Sequence, residues 1–367
     1  MKQAKLDRWQ LFTLTLSFCI GTTFILLPSD TIASGKQDAW LLELWSCLYG
    51  VILACLWLYL YKFHPGLSLI EIALKLLGKW VGGFVSVLYI VFFLQISSWV
   101  TRNMSDYMSS NIMPKTPISI FNIMVLFVCA YAVVKGIESI SSVSGMLTPS
   151  MMLIFWIPFT LMLKEWRWSR FDLPQVDLGH VFLHTTYLLG FPYMETISLL
   201  MLFPYAQRDK LRKPFLLGIS SSGVLMSIAL LFTVGILGVY RSEHLSNPIY
   251  IIFREMQFSN FIEHLEAIIS VNVLVMVFIK LSVIFYCAVL GICQLLGLQN
   301  RAIVAYPLIW VISAYAMYFD NVIDNFEWVR KYLFDYYSLF AIIIPVLLIA
   351  VTWLKQSHLS YKGEEMS

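Results

Sequence analysis

Two stretches of the chain decide its fold, Gly21-Thr-Thr-Phe-Ile-Leu-Leu-Pro28 and Gly190-Phe-Pro-Tyr-Met-Glu195. Each lies in an apolar run long enough to cross a membrane as a helix. Each also carries residues that interrupt helices, since glycine is flexible and proline lacks a backbone N–H. The two runs are the first and the sixth along the chain, the equivalent members of two halves of five. Paired interruptions at such positions are typical of transporter-type membrane bundles.

The composition is that of an integral membrane protein. Of 367 residues, 59% are hydrophobic and 13% are charged, against about 45–50% and about 25% in soluble proteins. Apolar runs of roughly 18 to 25 residues, enough to cross a hydrocarbon core of about 30 Å as helix, fill most of the chain. We therefore predict an all-α bundle of about ten transmembrane helices. The spans are expected near 9–33, 41–61, 81–101, 118–134, 146–163, 181–203, 214–240, 267–291, 302–319 and 337–354.

The bundle is predicted to be a single transmembrane domain over residues 1–367, built as a 5+5 inverted repeat of about 9–163 and about 181–354. An even number of spans places both termini on the same side of the bilayer. Lysine and arginine are more frequent in the loops on that side, above all at 208–213. The positive-inside rule then predicts that both termini are cytoplasmic.

Several classes of function find no support in the sequence. The net charge of +3 is scattered, so no basic face indicates nucleic acid. The six cysteines form no CxxC pair and have no histidine at ligand spacing, so we expect no metal and no cofactor. Because no nucleophile elbow, P-loop or dinucleotide fingerprint is present, we expect that the chain is not an enzyme.

The two breaks supply the candidate binding site. Unwinding leaves backbone N–H and C=O groups without helical partners, which a membrane tolerates only beside a cavity or a polar ligand. The alternative is that glycine and proline merely kink these helices, as they often do in membranes. We favour the functional interpretation because the interruptions are paired. The candidate ligand-binding residues at the breaks are Gly21, Thr22, Thr23, Gly190, Phe191 and Glu195.

Two ionisable residues are predicted deep in the membrane, Glu195 after the second break and Lys280 in the middle of the eighth span. A charge at the bilayer centre costs roughly 2.5–3.5 kcal/mol on insertion scales, so each needs a partner. The simplest hypothesis pairs them with each other. Lys280 would then supply the positive charge that a bound cation supplies in ion-coupled transporters. The alternative is a salt bridge with a purely structural role.

Two further features are assigned no function. Glu43, near the start of the second span, is expected to reach the membrane interface. The longest connection, about 241–266, contains an apolar stretch at 247–253. That stretch is either an interfacial helix or an ordinary loop packed on the bundle.

A series of short motifs occurs in order along nearly the whole chain. They are Gly21 to Pro28, Asp38-Ala-Trp40, Gly78-Lys-Trp-Val-Gly82, Arg102, Thr116-Pro117, Gly136-Ile-Glu138, Phe191-Pro-Tyr-Met-Glu195, Met201-Leu-Phe-Pro-Tyr205, Pro248 and Phe261-Ile-Glu-His-Leu-Glu266. In this the chain resembles the B subunits of endospore germinant receptors, members of the amino acid/polyamine/organocation transporter superfamily. The resemblance implies a five-plus-five inverted repeat. It also implies that a germinant such as an amino acid binds between helices one, three, six and eight.

Residue by residue, the resemblance implies that Gly21 lies near the ligand, that Phe92 and Ile96 form the wall from helix three, and that Lys280 lies at or beside the helix-eight contact. The first break departs from the family pattern, with Gly-Thr-Thr where many members have Gly-x-Gly, and His264 stands where arginine is common.

The resemblance further implies a nutrient sensor that works with an A-type membrane subunit and a C-type lipoprotein in the inner membrane of the spore. The main alternative is an amino-acid permease, proton-coupled or uncoupled, with the same site. A third interpretation is a structural subunit whose pocket binds nothing.

Overall fold

The computed structural model describes residues 6–172, 179, 186–207, 210–255, 265–318 and 322–364. Arg208 of the basic loop, the start of the sixth predicted span and His264 lie outside the described residues. The helices are α1 Arg8–Ile20, α2 Thr23–Gly35, α3 Ala39–Phe63, α4 Leu69–Asn111, α5 Ile118–Lys135, α6 Ile137–Leu161, α7 Thr186–Gly190, α8 Arg212–Leu237, α9 Val239–Glu243, α10 Pro248–Glu255, α11 Leu265–Leu296, α12 Ala302–Ala316, α13 Val322–Ser338 and α14 Ile344–Glu364.

Membrane-spanning helices make up most of the described chain. Seven helices there are long and apolar enough to cross a bilayer, and the apolar segments Leu188–Met201 and Ala302–Ala316 are shorter. One of the seven, Thr23–Phe63, comprises α2 and α3, so α1 with α2 corresponds to the first predicted span and α3 to the second. With the remaining six and the two shorter segments, all ten predicted spans have a counterpart. The prediction of an all-α multi-pass fold is confirmed.

Both predicted helix breaks are present. In the first span, α1 ends at Ile20 and α2 begins at Thr23, so two residues form a turn between them. In the sixth span, α7 ends at Gly190, residues 191–193 form a turn, and the chain continues as the 3₁₀ helix Met194–Met201. We call this interrupted span, α7 with the turn and the 3₁₀ helix, helix six; it is distinct from α6, and its second half is wound more tightly than an α-helix.

The broken helices pack at the centre of the bundle, around α11. The first of them, α1, packs on α6, α8 and α11. Every residue of α11 from 279 to 289 has no exposed surface. A helix covered on all sides in this way is a core element. Lys280 consequently lies at the buried centre of the bundle.

Two helices extend beyond their apolar windows because their polar residues are paired inside the bundle. In α6, which begins at Ile137 instead of 146, buried Ser144 Oγ lies 3.3 Å from Thr148 Oγ1, which in turn lies 2.6 Å from Ser17 Oγ of α1. In α4, which continues to Asn111, buried Arg102 pairs with Asp106 at 2.9 Å. Hydropathy averages count such residues as polar and therefore end the span too early.

The apolar stretch at 247–253 forms α10, which packs on the bundle. Its residues Ile249, Ile252 and Phe253 are buried, and the helix contacts α2, α8 and α11. Burial of its apolar face against the bundle explains why a short helix forms in this long connection.

The long helix α4 bends sharply at Gly78, where φ is 77°, a backbone conformation that favours glycine. The bend brings its first turns back onto the following segment. A Cβ atom on Gly82 would lie 2.5 Å from the carbonyl oxygen of Ala73, whereas a Cβ on Gly83 would meet nothing within 4 Å. The two adjacent glycines thus differ sharply in their surroundings.

This difference predicts opposite effects of two neighbouring substitutions. We expect Gly82→Ala to destabilise the protein by roughly 1–3 kcal/mol, because overpacking here meets backbone that cannot move aside. Gly83→Ala should be neutral or stabilising by up to about 1 kcal/mol, since alanine favours helix more than glycine. Thermal unfolding of the purified chain in detergent measures both. Equal effects of the two substitutions would show that the close approach at Gly82 is absent.

Candidate functional site

A buried ion pair joins the second break to α11. Lys280 Nζ lies 2.7 Å from Glu195 Oε2, and the two side chains expose only 0% and 3% of their surface. Tyr337 donates a hydrogen bond of 2.7 Å to the other carboxylate oxygen, Glu195 Oε1. The predicted pairing of Glu195 with Lys280 is therefore present. It is the arrangement that makes charges tolerable inside a membrane.

The same lysine contacts the first break. Its Nζ donates a hydrogen bond of 3.0 Å to Thr22 Oγ1 and lies 4.6 Å from the ring centroid of Phe191, a distance that permits cation–π attraction. Gly21 makes this approach possible, because a Cβ there would lie 2.8 Å from Lys280 Cβ. Lys280 thus ties both breaks to α11.

A small cavity of about 50 Å³ lies between the two broken helices. Its lining residues are Thr22, Leu26, Leu27, Asp30, Trp99, Val100, Asn103, Phe191, Glu195, Val329, Leu333 and Tyr337. It is smaller than the apolar cavity of about 150 Å³ that holds benzene in an engineered protein. In this conformation the cavity has room for water, and a solute the size of an amino acid fits only after the lining moves outward.

A larger cavity of about 550 Å³, the vestibule, lies beside the small one on the face where α2 and α4 end. Its lining residues are Ile25, Leu26, Asn103, Asp106, Tyr107, Ser110, Asn111, Leu245, Ser246, Asn247 and Ile251. Leu26 and Asn103 line both cavities and form the partition between them.

Contacts between α2, α4 and α13 cover the small cavity on that same face. Asp30, which lines the cavity, pairs with Arg330 of α13. Beside it the rings of Trp99 and Trp328 lie 4.9 Å apart, centroid to centroid. Movement of α13 away from α2 would break these contacts and widen the cavity.

The structure brings five of the nine predicted site residues together. Thr22, Phe191 and Glu195 line the small cavity. Lys280 lies directly behind them, in contact with all three, and Gly21 packs on Lys280.

The other four predicted residues lie away from the cavity lining. Thr23 turns its hydroxyl back to the carbonyl of Cys19. Gly190 packs on α13, Phe92 stacks on Phe340 at 4.4 Å, and Ile96 is fully buried. The predicted wall on α4 is thus displaced by about one turn, because the residues of α4 that line the cavity are Trp99, Val100 and Asn103.

Some cavity-lining residues were not predicted, although the sequence contains patterns that indicate them. Val100 and Asn103 follow Ile96 at helical spacing and so share its face of α4. Asp30 is an acidic residue inside an apolar run. Nothing in the sequence, however, indicates that Tyr337 of the last predicted span reaches Glu195.

Glu43 is not at the interface, so that expectation is wrong. The residue is 1% exposed. Tyr193, within the second break, donates a hydrogen bond of 2.6 Å to Glu43 Oε1. The first turns of α3 are covered by α8 and by helix six, which leaves the short glutamate side chain no route to the interface.

Two broken helices around a central cavity define a class, the membrane proteins with a transporter fold. Three solved structures share the fold at 11% identity. MHP1, a nucleobase-cation-symport-1 transporter in a closed conformation with bromovinylhydantoin bound, has a TM-score of 0.63 over 89% of this chain and 75% of that one. A substrate-bound, outward-open Na+-coupled sialic acid symporter scores 0.64 over 96% and 79%. MhsT in complex with L-phenylalanine scores 0.62 over 96% and 99%.

Within this class the chain belongs to the spore germination protein family, whose profile matches residues 5–324. It is 25% identical to spore germination protein KB of Bacillus subtilis (strain 168) over 100% of this chain and 99% of that protein. It is 23% identical to spore germination protein B2 of the same organism over 96% of both chains. The resemblance to germinant receptor B subunits is confirmed, and the chain is a receptor-like or permease-like membrane protein.

The buried ion pair predicts a strongly non-additive pair of substitutions. Lys280→Met alone leaves Glu195 buried and uncompensated, and such a loss costs about 3–5 kcal/mol. In Glu195→Gln/Lys280→Met no charge remains, so we expect much of that stability to return. Thermal unfolding of the single and double variants measures the coupling. Additive losses would show that the two charges do not interact.

Proposed function

We propose that this chain is the ligand-sensing subunit of a spore germinant receptor. In this proposal a small nutrient, an amino acid by class, binds near the middle of the membrane in the cavity between the broken helices. Binding favours one arrangement of the bundle, and this differential affinity shifts the receptor towards its active state.

The observation that carries the proposal is the contact of one buried cation with both breaks. Lys280 reaches Thr22 of the first and Glu195 of the second, and these two residues also line the cavity. A solute that displaces either contact changes the partners of a charge that must remain paired. Occupancy of the cavity is thereby linked to the geometry of both broken helices.

The proposed ligand class follows from the polar groups around the cavity. The helix α2 starts at Thr23, and its N-cap Thr22 provides no side-chain cap, so its N-terminus favours a carboxylate. The remaining lining is largely apolar, which suits an aliphatic or aromatic side chain. The transporter-fold neighbour MhsT was solved with L-phenylalanine, in agreement with this class.

Within the proposal, Lys280 takes the place of a bound cation. The sialic acid symporter of similar fold is Na+-coupled. Here the ammonium group already lies 2.7 Å from the Glu195 carboxylate at the centre of the bundle. A tethered charge of this kind needs no sodium ion, so ligand binding should not depend on sodium.

The proposal also includes the partner subunits and the orientation of the chain in the membrane. The chain would work with an A-type membrane subunit and a C-type lipoprotein in the inner membrane of the spore, with both termini cytoplasmic. We assign it no catalytic role and no cofactor. The vestibule would then face the outside of the inner membrane, where a germinant arrives.

An amino-acid permease with the same site remains the second candidate function, favoured by the transporter fold itself. The two differ in whether the solute crosses the membrane. Vesicles that contain only this chain should not accumulate labelled amino acids above empty vesicles if it is a sensor. Uptake by these vesicles, lost in Glu195→Gln/Lys280→Met, would favour the permease.

A substitution that fills the small cavity tests whether the solute binds there. Val100 lines the cavity and is 2% exposed, whereas Val91 on the same helix is 49% exposed. We expect Val100→Phe to weaken binding of the activating amino acid at least about tenfold, or about 1.4 kcal/mol, and Val91→Phe to leave it unchanged. The measurement is the stabilisation of the purified chain by each common amino acid, about 2.7 kcal/mol at about 100 times its Kd.

The same variants in spores give the functional readout. Val100→Phe should abolish or alter the response to the nutrient, and Val91→Phe should germinate normally. If Val100→Phe spores germinate normally and the variant protein binds as the wild type does, the solute site is not in this cavity. If no amino acid stabilises the wild type either, the pocket is structural.

A further inference from the structure

A second buried carboxyl group meets the same helix break from the opposite side. Glu43 of α3 is 1% exposed, and its Oε1 accepts the hydrogen bond from Tyr193, two residues before Glu195. Neither the solute site nor the Lys280 ion pair uses this group. It lies outside the small cavity and the vestibule.

The surroundings of Glu43 differ from those of Glu195 in one respect. Glu195 has an ammonium group at 2.7 Å, whereas no lysine, arginine or histidine in the described part of the chain forms an ion pair with Glu43. The titratable groups facing it are Tyr193 from helix six and Cys47 from α3, and Cys19 of α1 lies near these two. None of them brings positive charge.

An isolated carboxylate in such a place is very unfavourable. Removing an ionised group from water without a partner costs many kcal/mol, and in practice the group takes up a proton instead. One hydrogen bond from a neutral phenol does not balance a full charge. A carboxylic acid, by contrast, is an ordinary hydrogen-bonding group at this position.

The tyrosine that contacts Glu43 is held tightly in the break. A Cβ atom on Gly50 of α3 would lie 2.6 Å from Tyr193 Cβ, and a Cβ on Gly223 of α8 would lie 2.9 Å from the Tyr193 hydroxyl oxygen. Two glycines thus make room for this side chain between α3 and α8. Any shift of the break must move the Tyr193 hydroxyl relative to Glu43.

We propose that Glu43 is a proton-binding site that is coupled through Tyr193 to the broken sixth helix. With the proton bound, the buried contact between α3, α8 and the break is stable. Loss of the proton leaves a charge that needs water, and so favours conformations in which this contact opens. The bound ligand is a proton, and the site is independent of the solute cavity.

Infrared spectroscopy of the full-length purified protein in lipid nanodiscs tests the proposal. At neutral pH the wild type should show the C=O stretch of a neutral carboxylic acid, and Glu43→Gln should lack it. Glu195→Gln/Lys280→Met, which removes the paired carboxylate without leaving an uncompensated charge, is the matched control and should retain the band. Tyr193→Phe should shift the band to higher frequency, because the carbonyl loses its hydrogen bond.

The proposal is overturned if the wild-type and Glu43→Gln spectra coincide in the region of this band. A wild-type sample labelled with carbon-13 in its glutamate carboxyl groups gives the same answer without a substitution. The band must then move to lower frequency, and an unmoved band would exclude a neutral glutamate. An unshifted band in Tyr193→Phe would overturn the coupling to helix six.

Discussion

A lysine ammonium group with no exposed surface is the constraint on which the centre of this protein depends. Lys280 lies in the part of α11 that is covered on every side, so its charge must be neutralised within the bundle. Glu195 supplies the counter-charge and Thr22 a further acceptor. Both residues reach the ammonium group only because helices one and six are interrupted beside it. Gly21 gives Lys280 the room to approach the first break, and Tyr337 of the last span completes the partners of Glu195.

The second break is shared by two acidic groups that are balanced differently. Glu195 is neutralised by a cation that cannot leave, and Glu43 by a proton that can. Both act on the same short segment, Tyr193 through Glu195. A solute in the cavity touches the first group, and proton loss changes the second. Helix six is thus the element on which two separate signals act, one from α11 and one from α3.

Much of this arrangement could be predicted from the sequence, and the failures have physical causes. Hydropathy and Gly/Pro placement predicted the spans and both breaks, and the cost of buried charge predicted the Glu195–Lys280 pair. Glu43 was misplaced because a sequence near a span end does not reveal that α8 and helix six cover it. The α4 wall was placed one turn from the cavity, since a family resemblance fixes a helix face better than a depth. Tyr337 was missed because only the three-dimensional packing brings the last span to Glu195.

The most direct measurement is the sodium dependence of amino-acid binding to the purified chain. The activating amino acid, radiolabelled, is titrated by equilibrium dialysis in sodium buffer and in choline buffer of equal ionic strength. Because Lys280 already provides the positive charge between the breaks, we predict the same affinity in both. Binding that requires sodium would contradict the role of the tethered lysine, and saturable binding that survives Val100→Phe unchanged would place the solute elsewhere.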